Sequence, residues 1–289
     1  LASAVSARDR ATELLQARIR SLFARLPAAL TGDAEAIHQM RVAGRRLRVA
    51  LPVLGRKPLG RRLRRSRRRL HELVAIAGGS RDLDVGLGLL EERLAGTDPA
   101  LLRRRLRAAR TRSRARMVEA LLDLDISGLR RDLRRIVNRR GEGLFVVFSR
   151  LRDARDLEAM ALFEALATLA ERYEPESLHR LRIRTRRLRY LAELNAELKD
   201  QPSEAPRRFK ELQEALGRIQ DAHVLAEWLA RQAVAHARRG HAEAASESRR
   251  LEEELRELSR ASHRELLERD PVALLQSALE AMGLARSAA

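Results

Sequence analysis

His38-Gln-Met-Arg41-Val-Ala-Gly-Arg45-Arg46-Leu-Arg48 returns roughly 140 residues later as His179-Arg-Leu-Arg182-Ile-Arg-Thr-Arg186-Arg187-Leu-Arg189. Both copies read H-x-[ML]-R-[VI]-x-x-R-R-L-R, and five of the identical positions are His or Arg. Many apolar combinations satisfy packing, so a repeated apolar pattern alone would carry little. A repeated cationic pattern points to two copies of one anion-contacting surface. It also sets the fold, because its apolar positions make sense only on a helix.

At about 100° per residue, with His38 at zero, Arg41, Arg45 and Arg48 fall near 300°, 340° and 280°. Met40, Leu47, Leu51 and Leu54 form the adjoining apolar stripe. His179, Arg182, Arg186 and Arg189 share a strip in the same way, beside Leu181, Leu188 and Ala192. Arg46 and Arg187 sit near 80°, away from both strips. Cations stacked at these spacings without a carboxylate between them disfavour an isolated helix. An extended phosphate ligand offsets that cost, since each guanidinium presents a planar donor fork to phosphate oxygens. The competing reading is a solvated basic face. His38 and His179 are expected to donate to phosphate, or else simply to position their helices; neighbouring cations disfavour their protonation. No second His or carboxylate stands at i+4 of either, so metal binding is not expected.

Around this pattern the chain reads as all-α. Aromatic residues are only 3%, β-branched runs are nearly absent, and apolar residues recur at three- and four-residue spacings. Helices are expected over 5–28, 33–54, 60–77, 80–95, 99–123, 127–139, 152–173, 176–198, 204–216, 219–239, 242–268 and 271–284. Breaks are expected at Thr31–Asp33, Lys57–Pro58, Gly78–Ser80, Gly96–Pro99, Gly141–Gly143, Glu174–Pro175 and Asp200–Pro202. Trp228 and the phenylalanines are expected in the core.

The repeat extends further. Leu73 to Val85, with Gly78, Arg81 and Asp82, aligns with Leu212 to Val224, with Gly217, Gln220 and Asp221. This suggests a duplicated unit, approximately 5–141 and 144–284, forming two helical bundles related by a pseudo-twofold axis within one domain. Asp82 and Asp221 are expected to cap or begin the next helix, or to hold an arginine of the basic face. Arg64, Arg67, Arg68 and His71 form a second basic face, which Arg207 and Lys210 match weakly in the second copy. The arginines at 103, 107, 110 and 114 are peripheral.

The net charge is +19, and the 13 Arg or Lys residues between Ala36 and His71 meet no Asp or Glu. Such local density is offset by a polyanion or counterions. No apolar run approaches the length of a membrane span, so no membrane partner is expected. With no Cys, disulfides, thiolate metal sites and Cys nucleophiles are excluded. Leu rather than Met stands first, so the chain reads as a trimmed product.

These residues resemble the CHAD domain, the conserved histidine α-helical domain. The doubled motif, the Leu-Arg189-Tyr190 ending of its second copy and the Arg81-Asp82-Leu-Asp84-Val85 stretch carry the likeness. In the second copy Gln220-Asp221-Ala222-His223-Val224 departs from that last stretch. The resemblance implies helical bundles around a basic groove or pore that binds inorganic polyphosphate, and association with cytoplasmic polyphosphate granules. The E-x-E-x-K strand motif of a CYTH-type triphosphatase does not occur in the sequence, so a stand-alone member is expected. Site residues carried over are His38, Arg41, Arg45, Arg46, Arg48, Arg64, Arg67, Arg68, His71, Arg81, His179, Arg182, Arg186, Arg187, Arg189, Arg207 and Lys210. No catalytic residue and no cofactor is expected, since phosphoryl chemistry calls for carboxylates on Mg²⁺ and a positioned base. Only Asp82, Asp84, Asp221 and Glu193 lie near the basic strips. Weak competing nucleic-acid or general polyanion binding is the alternative, against which the scarcity of aromatic residues for base stacking counts.

Overall fold

The computed structural model describes residues 2–55, 60–93, 100–138, 143–169 and 173–283. Among them every regular element is an α-helix. In chain order these are α1 (Ala2–Leu30), α2 (Ala34–Leu54), α3 (Arg61–Ile76), α4 (Gly78–Arg93), α5 (Ala100–Asp123) and α6 (Ile126–Val137). There follow α7 (Leu144–Leu169), α8 (Pro175–Lys199), α9 (Ala205–Ala237), α10 (Ala242–Glu268) and α11 (Pro271–Glu280). The chain forms two compact units, each assembled from segments distant in sequence. Leu1–Arg81, Arg112–Ala159 and Arg187–Ser203 make the first, and Asp82–Thr111, Met160–Arg186 and Glu204–Ala289 the second.

In the first unit α1 and α2 form a hairpin through Thr31-Gly32-Asp33. Gly32 takes φ +83° to reverse the chain, and Asp33 caps α2 by accepting from the Ala36 N–H at 2.6 Å. The apolar stripe of α2 packs inward, with Ile37, Met40, Leu47 and Leu51 wholly buried. Gly44 permits the close approach of α3: a Cβ there would stand 2.7 Å from Val74 Cγ2. Asp132 of α6, 2% exposed, ties α3 to α6 by accepting from Arg65 at 2.7 and 2.8 Å and from Arg69 at 3.4 Å. These bonds, led by that from Arg65, hold its carboxyl below the usual range.

The second unit is dominated by the hairpin of α9 and α10, which turns at Gly240 with φ +74°. Leu225 and Leu229 of α9 pack with Leu87 and Leu90 of α4 and Leu102 and Leu106 of α5 in a buried apolar cluster. Trp228 lies partly buried against it. Asp270 caps α11 through Val272 and Ala273 N–H groups, with Pro271 in the first helical turn.

Several expectations change. The segments 204–216 and 219–239 are one helix, α9, running straight through Gly217. Helix α7 begins at Leu144 rather than at 152. Gly78 opens α4, and only Ala77 separates α3 from α4. Asp82 and Asp221 therefore lie inside helices and cap neither. Phe23 and Phe209 are buried as expected, whereas Phe145 is 86% exposed. The breaks at Lys57–Pro58, Gly96–Pro99 and Gly141–Glu142 fall outside the described residues.

Candidate functional site

Helix α2 delivers the first copy of the motif to the first unit. Arg41, expected on an outward strip, is instead buried at 7% exposure, and its Nη1 donates to the Ala77 carbonyl at 2.5 Å. It closes the end of α3, satisfying one of the carbonyls that a helix C-terminus leaves without a partner. His38 is half-buried.

One turn on, the strip changes character. Burial, followed by the charges of Arg187, Arg67 and Arg45, pushes the Arg48 guanidinium below its ordinary range. Four arginines from α2, α3 and α8 thus lie within electrostatic reach of one another. Among the described residues no carboxylate pairs with Arg48 or Arg67. Arg187 retains Glu158 at 2.8 Å. Repulsion of this kind in a partly buried setting makes an incoming anion favourable. On α3, Arg64, Arg67, Arg68 and His71 are exposed, and Arg68 faces Glu72 at 3.6 Å.

Arg46 and Arg189 behave differently. Glu193, half-buried on α8, accepts from Arg46 at 2.7 and 3.1 Å and from Arg189 at 3.1 Å. Both guanidiniums also stand near the Tyr190 ring, 5.8 and 5.9 Å from its centroid. One carboxylate therefore neutralises part of the charge expected to face a ligand. The spacing of Arg189 and Glu193 at i and i+4 was a visible sign of one of these bonds. The bond to Arg46 had no such sign.

In the second unit the first turns of α8 carry His179, Arg182 and Arg186. Partial burial, then Arg182 and Arg186, pushes the imidazole of His179 below its ordinary pKa, against the opposing pull of Gln220 and Asp82. Arg182 is held by Asp221 at 2.9 Å, the arginine-holding role expected for that aspartate. Arg207 is bound by Glu204 and Glu211 at 2.7 and 2.6 Å, and Lys210 meets Glu214 at 3.3 Å. Those two cations lie exposed at the start of α9 in a charge-balanced setting. The Arg81 side chain lies outside the described residues. On α5, Arg107 and Arg110 meet Glu91 and Asp84 at 3.0 and 3.8 Å. No group of three or more His, Asp or Glu suited to a metal ion occurs among the described residues. No described helix is long and apolar enough to cross a membrane.

Two solved structures have a similar fold. PptA from Streptomyces chartreusis is 20% identical with a TM-score of 0.64, the match covering 94% of this chain and 99% of that one. The CHAD domain from the plant Ricinus communis is 22% identical with a TM-score of 0.61, covering 97% and 92% respectively. No curated protein matches the chain. The CHAD domain pattern itself matches residues 13–230, about three quarters of the length. By that match the chain belongs to the CHAD domain family.

Proposed function

We propose that this chain binds inorganic polyphosphate and does not turn it over. The observation that carries the reading is Arg48, set among Arg45, Arg67 and Arg187 with no carboxylate of its own among the described residues. Linear polyphosphate presents tetrahedral anions at close intervals, and guanidiniums from three helices suit it better than a single ion. In the second unit His179, Arg182 and Arg186 supply a further cationic surface, with Arg182 held by Asp221, where a phosphate would favour the proton that burial and the neighbouring cations disfavour on His179. Family membership is the ground for naming polyphosphate among polyanions, and for expecting association with cytoplasmic granules.

Titration with long-chain polyphosphate tests this, comparing the native chain with a folded Arg48→Ala, Arg67→Ala double variant. Affinity should fall at least tenfold; unchanged affinity would overturn the assigned surface. The +19 charge favours nucleic acid as the second reading. Polyphosphate should displace RNA at much lower phosphate concentration, and equal displacement per phosphate would leave a general polyanion binder. Phosphate release on adding Mg²⁺ would replace binding by catalysis.

A further inference from the structure

A carboxylate nearly cut off from water adjoins the basic cluster of α2, α3 and α8. Glu158 of α7 accepts from Arg187 Nη1 at 2.8 Å. Its side chain is 14% exposed, against 46% for that of the arginine. Arg187 is in turn the foremost of the charges that weigh on Arg48, ahead of Arg67 and Arg45. Glu158 therefore stands one guanidinium away from the anion surface, within the same compact unit.

Other carboxylates of the unit do not share that position. Glu72 meets Arg68 at 3.6 Å, but both side chains are well exposed, so water replaces either partner at little cost. Glu193 is as shielded as Glu158, yet it binds Arg46 and Arg189, whereas the charges that weigh on Arg48 are those of Arg187, Arg67 and Arg45.

An anion that takes Arg187 leaves Glu158 charged, poorly hydrated and deprived of that partner. Separating a shielded pair is far more costly than separating an exposed one. An anion that leaves Arg187 in place loses one guanidinium and keeps a negative charge close by. A short phosphate chain has only this cluster to fill, so either course weakens it. A long chain spreads its phosphates over further cations, such as Arg64 and Arg68 on the exposed face of α3, and passes Arg187 by. Resting on the polyphosphate reading, the geometry points to Glu158 as a specificity residue that sets the cluster against short phosphate chains and in favour of long ones.

Calorimetric titration of the full chain with inorganic triphosphate and with long-chain polyphosphate, at one salt concentration, tests this. Glu158→Gln keeps the shape of the side chain and an acceptor for Arg187, and urea unfolding checks that it folds as the native chain does. Triphosphate affinity should rise roughly tenfold and long-chain affinity less than about threefold, so that the preference for length falls. Glu158→Asp, which withdraws the carboxylate by one methylene, should shift the preference in the same direction by a smaller factor. Glu265→Gln removes the same charge from an exposed pair with Arg218 on α10 and should alter neither affinity. An equal rise for both ligands, no rise for triphosphate, or the same shift in Glu265→Gln would each overturn the inference. The Arg48→Ala, Arg67→Ala variant separates the two readings. If it loses polyphosphate while Glu158→Gln leaves the length preference unchanged, the role of Glu158 alone fails; if it loses nothing, the surface and the inference fail together.

Discussion

Arg182 lies across Gly217, its guanidinium nitrogen 3.6 Å from where a Cβ on that glycine would stand. Arg41 lies across Gly78 at 3.5 Å, at the aligned positions of the other copy. In each compact unit a motif arginine thus runs over a glycine, which leaves a flat backbone surface for it. Such a distance is ordinary contact for one methyl group and too short for a longer side chain. Gly217→Ala is therefore expected to be neutral or to gain up to about 1 kcal/mol from helix propensity. Gly217→Leu should push Arg182 off Asp221 and lose about 1–3 kcal/mol. Urea unfolding of the two variants checks the pair.

Arg41→Met removes a buried donor from the Ala77 carbonyl and should cost about 1–3 kcal/mol in urea unfolding. Reduced anion affinity in that variant would therefore mix stability with binding. Arg45 and Arg48 are the cleaner probes.

His236 of α9 is wholly buried, and neither ring nitrogen has a hydrogen-bond partner among the described residues. Burial, then Arg105, His241 and Arg239, pushes its pKa below the ordinary 6.5. The unfolded chain thus takes up the proton first, so stability is full above about pH 6.5 and is lost as pH falls through the lower folded value. His236→Leu should remove that part of the loss and raise stability by about 1–2 kcal/mol even at neutral pH. Thermal unfolding of native and variant chains between pH 5 and 8 reads both effects.

Salt dependence should report the basic cluster directly. By analogy with nucleic acids, each guanidinium withdrawn from the phosphates lowers the slope of log affinity against log salt by about 0.7–0.9. Arg48→Ala and Arg67→Ala should each flatten the slope by about that amount. Arg207→Ala should leave it nearly unchanged, because Glu204 and Glu211 already neutralise that side chain.

The helical character, the inward stripe of α2 and the turn at Gly32 were legible because each follows from local spacing. Gly217 misled for a physical reason: glycine usually interrupts a helix, yet here its missing side chain makes room for Arg182 on an unbroken α9. A helical wheel also gives a direction around one axis and not the neighbour that fills it. Arg41 therefore read as a ligand contact, although it reaches a carbonyl of α3; Arg46, which the wheel set apart and only the family resemblance carried over, reaches a carboxylate of α8. Arginine's long stem lets a residue be buried while its charge finds a distant partner. Phe145 went wrong in the opposite sense, since the first turn of α7 leaves an aromatic ring in solvent.

Glu193 and Glu197, from the second half of the sequence, hold Arg46 and Arg18 from the first half within one compact unit. A chain cut near Gly143 would therefore yield two fragments, neither of which carries a whole unit. The repeated motif divides the sequence into two halves, but each compact unit draws on both of them, so either half taken alone lacks part of each unit.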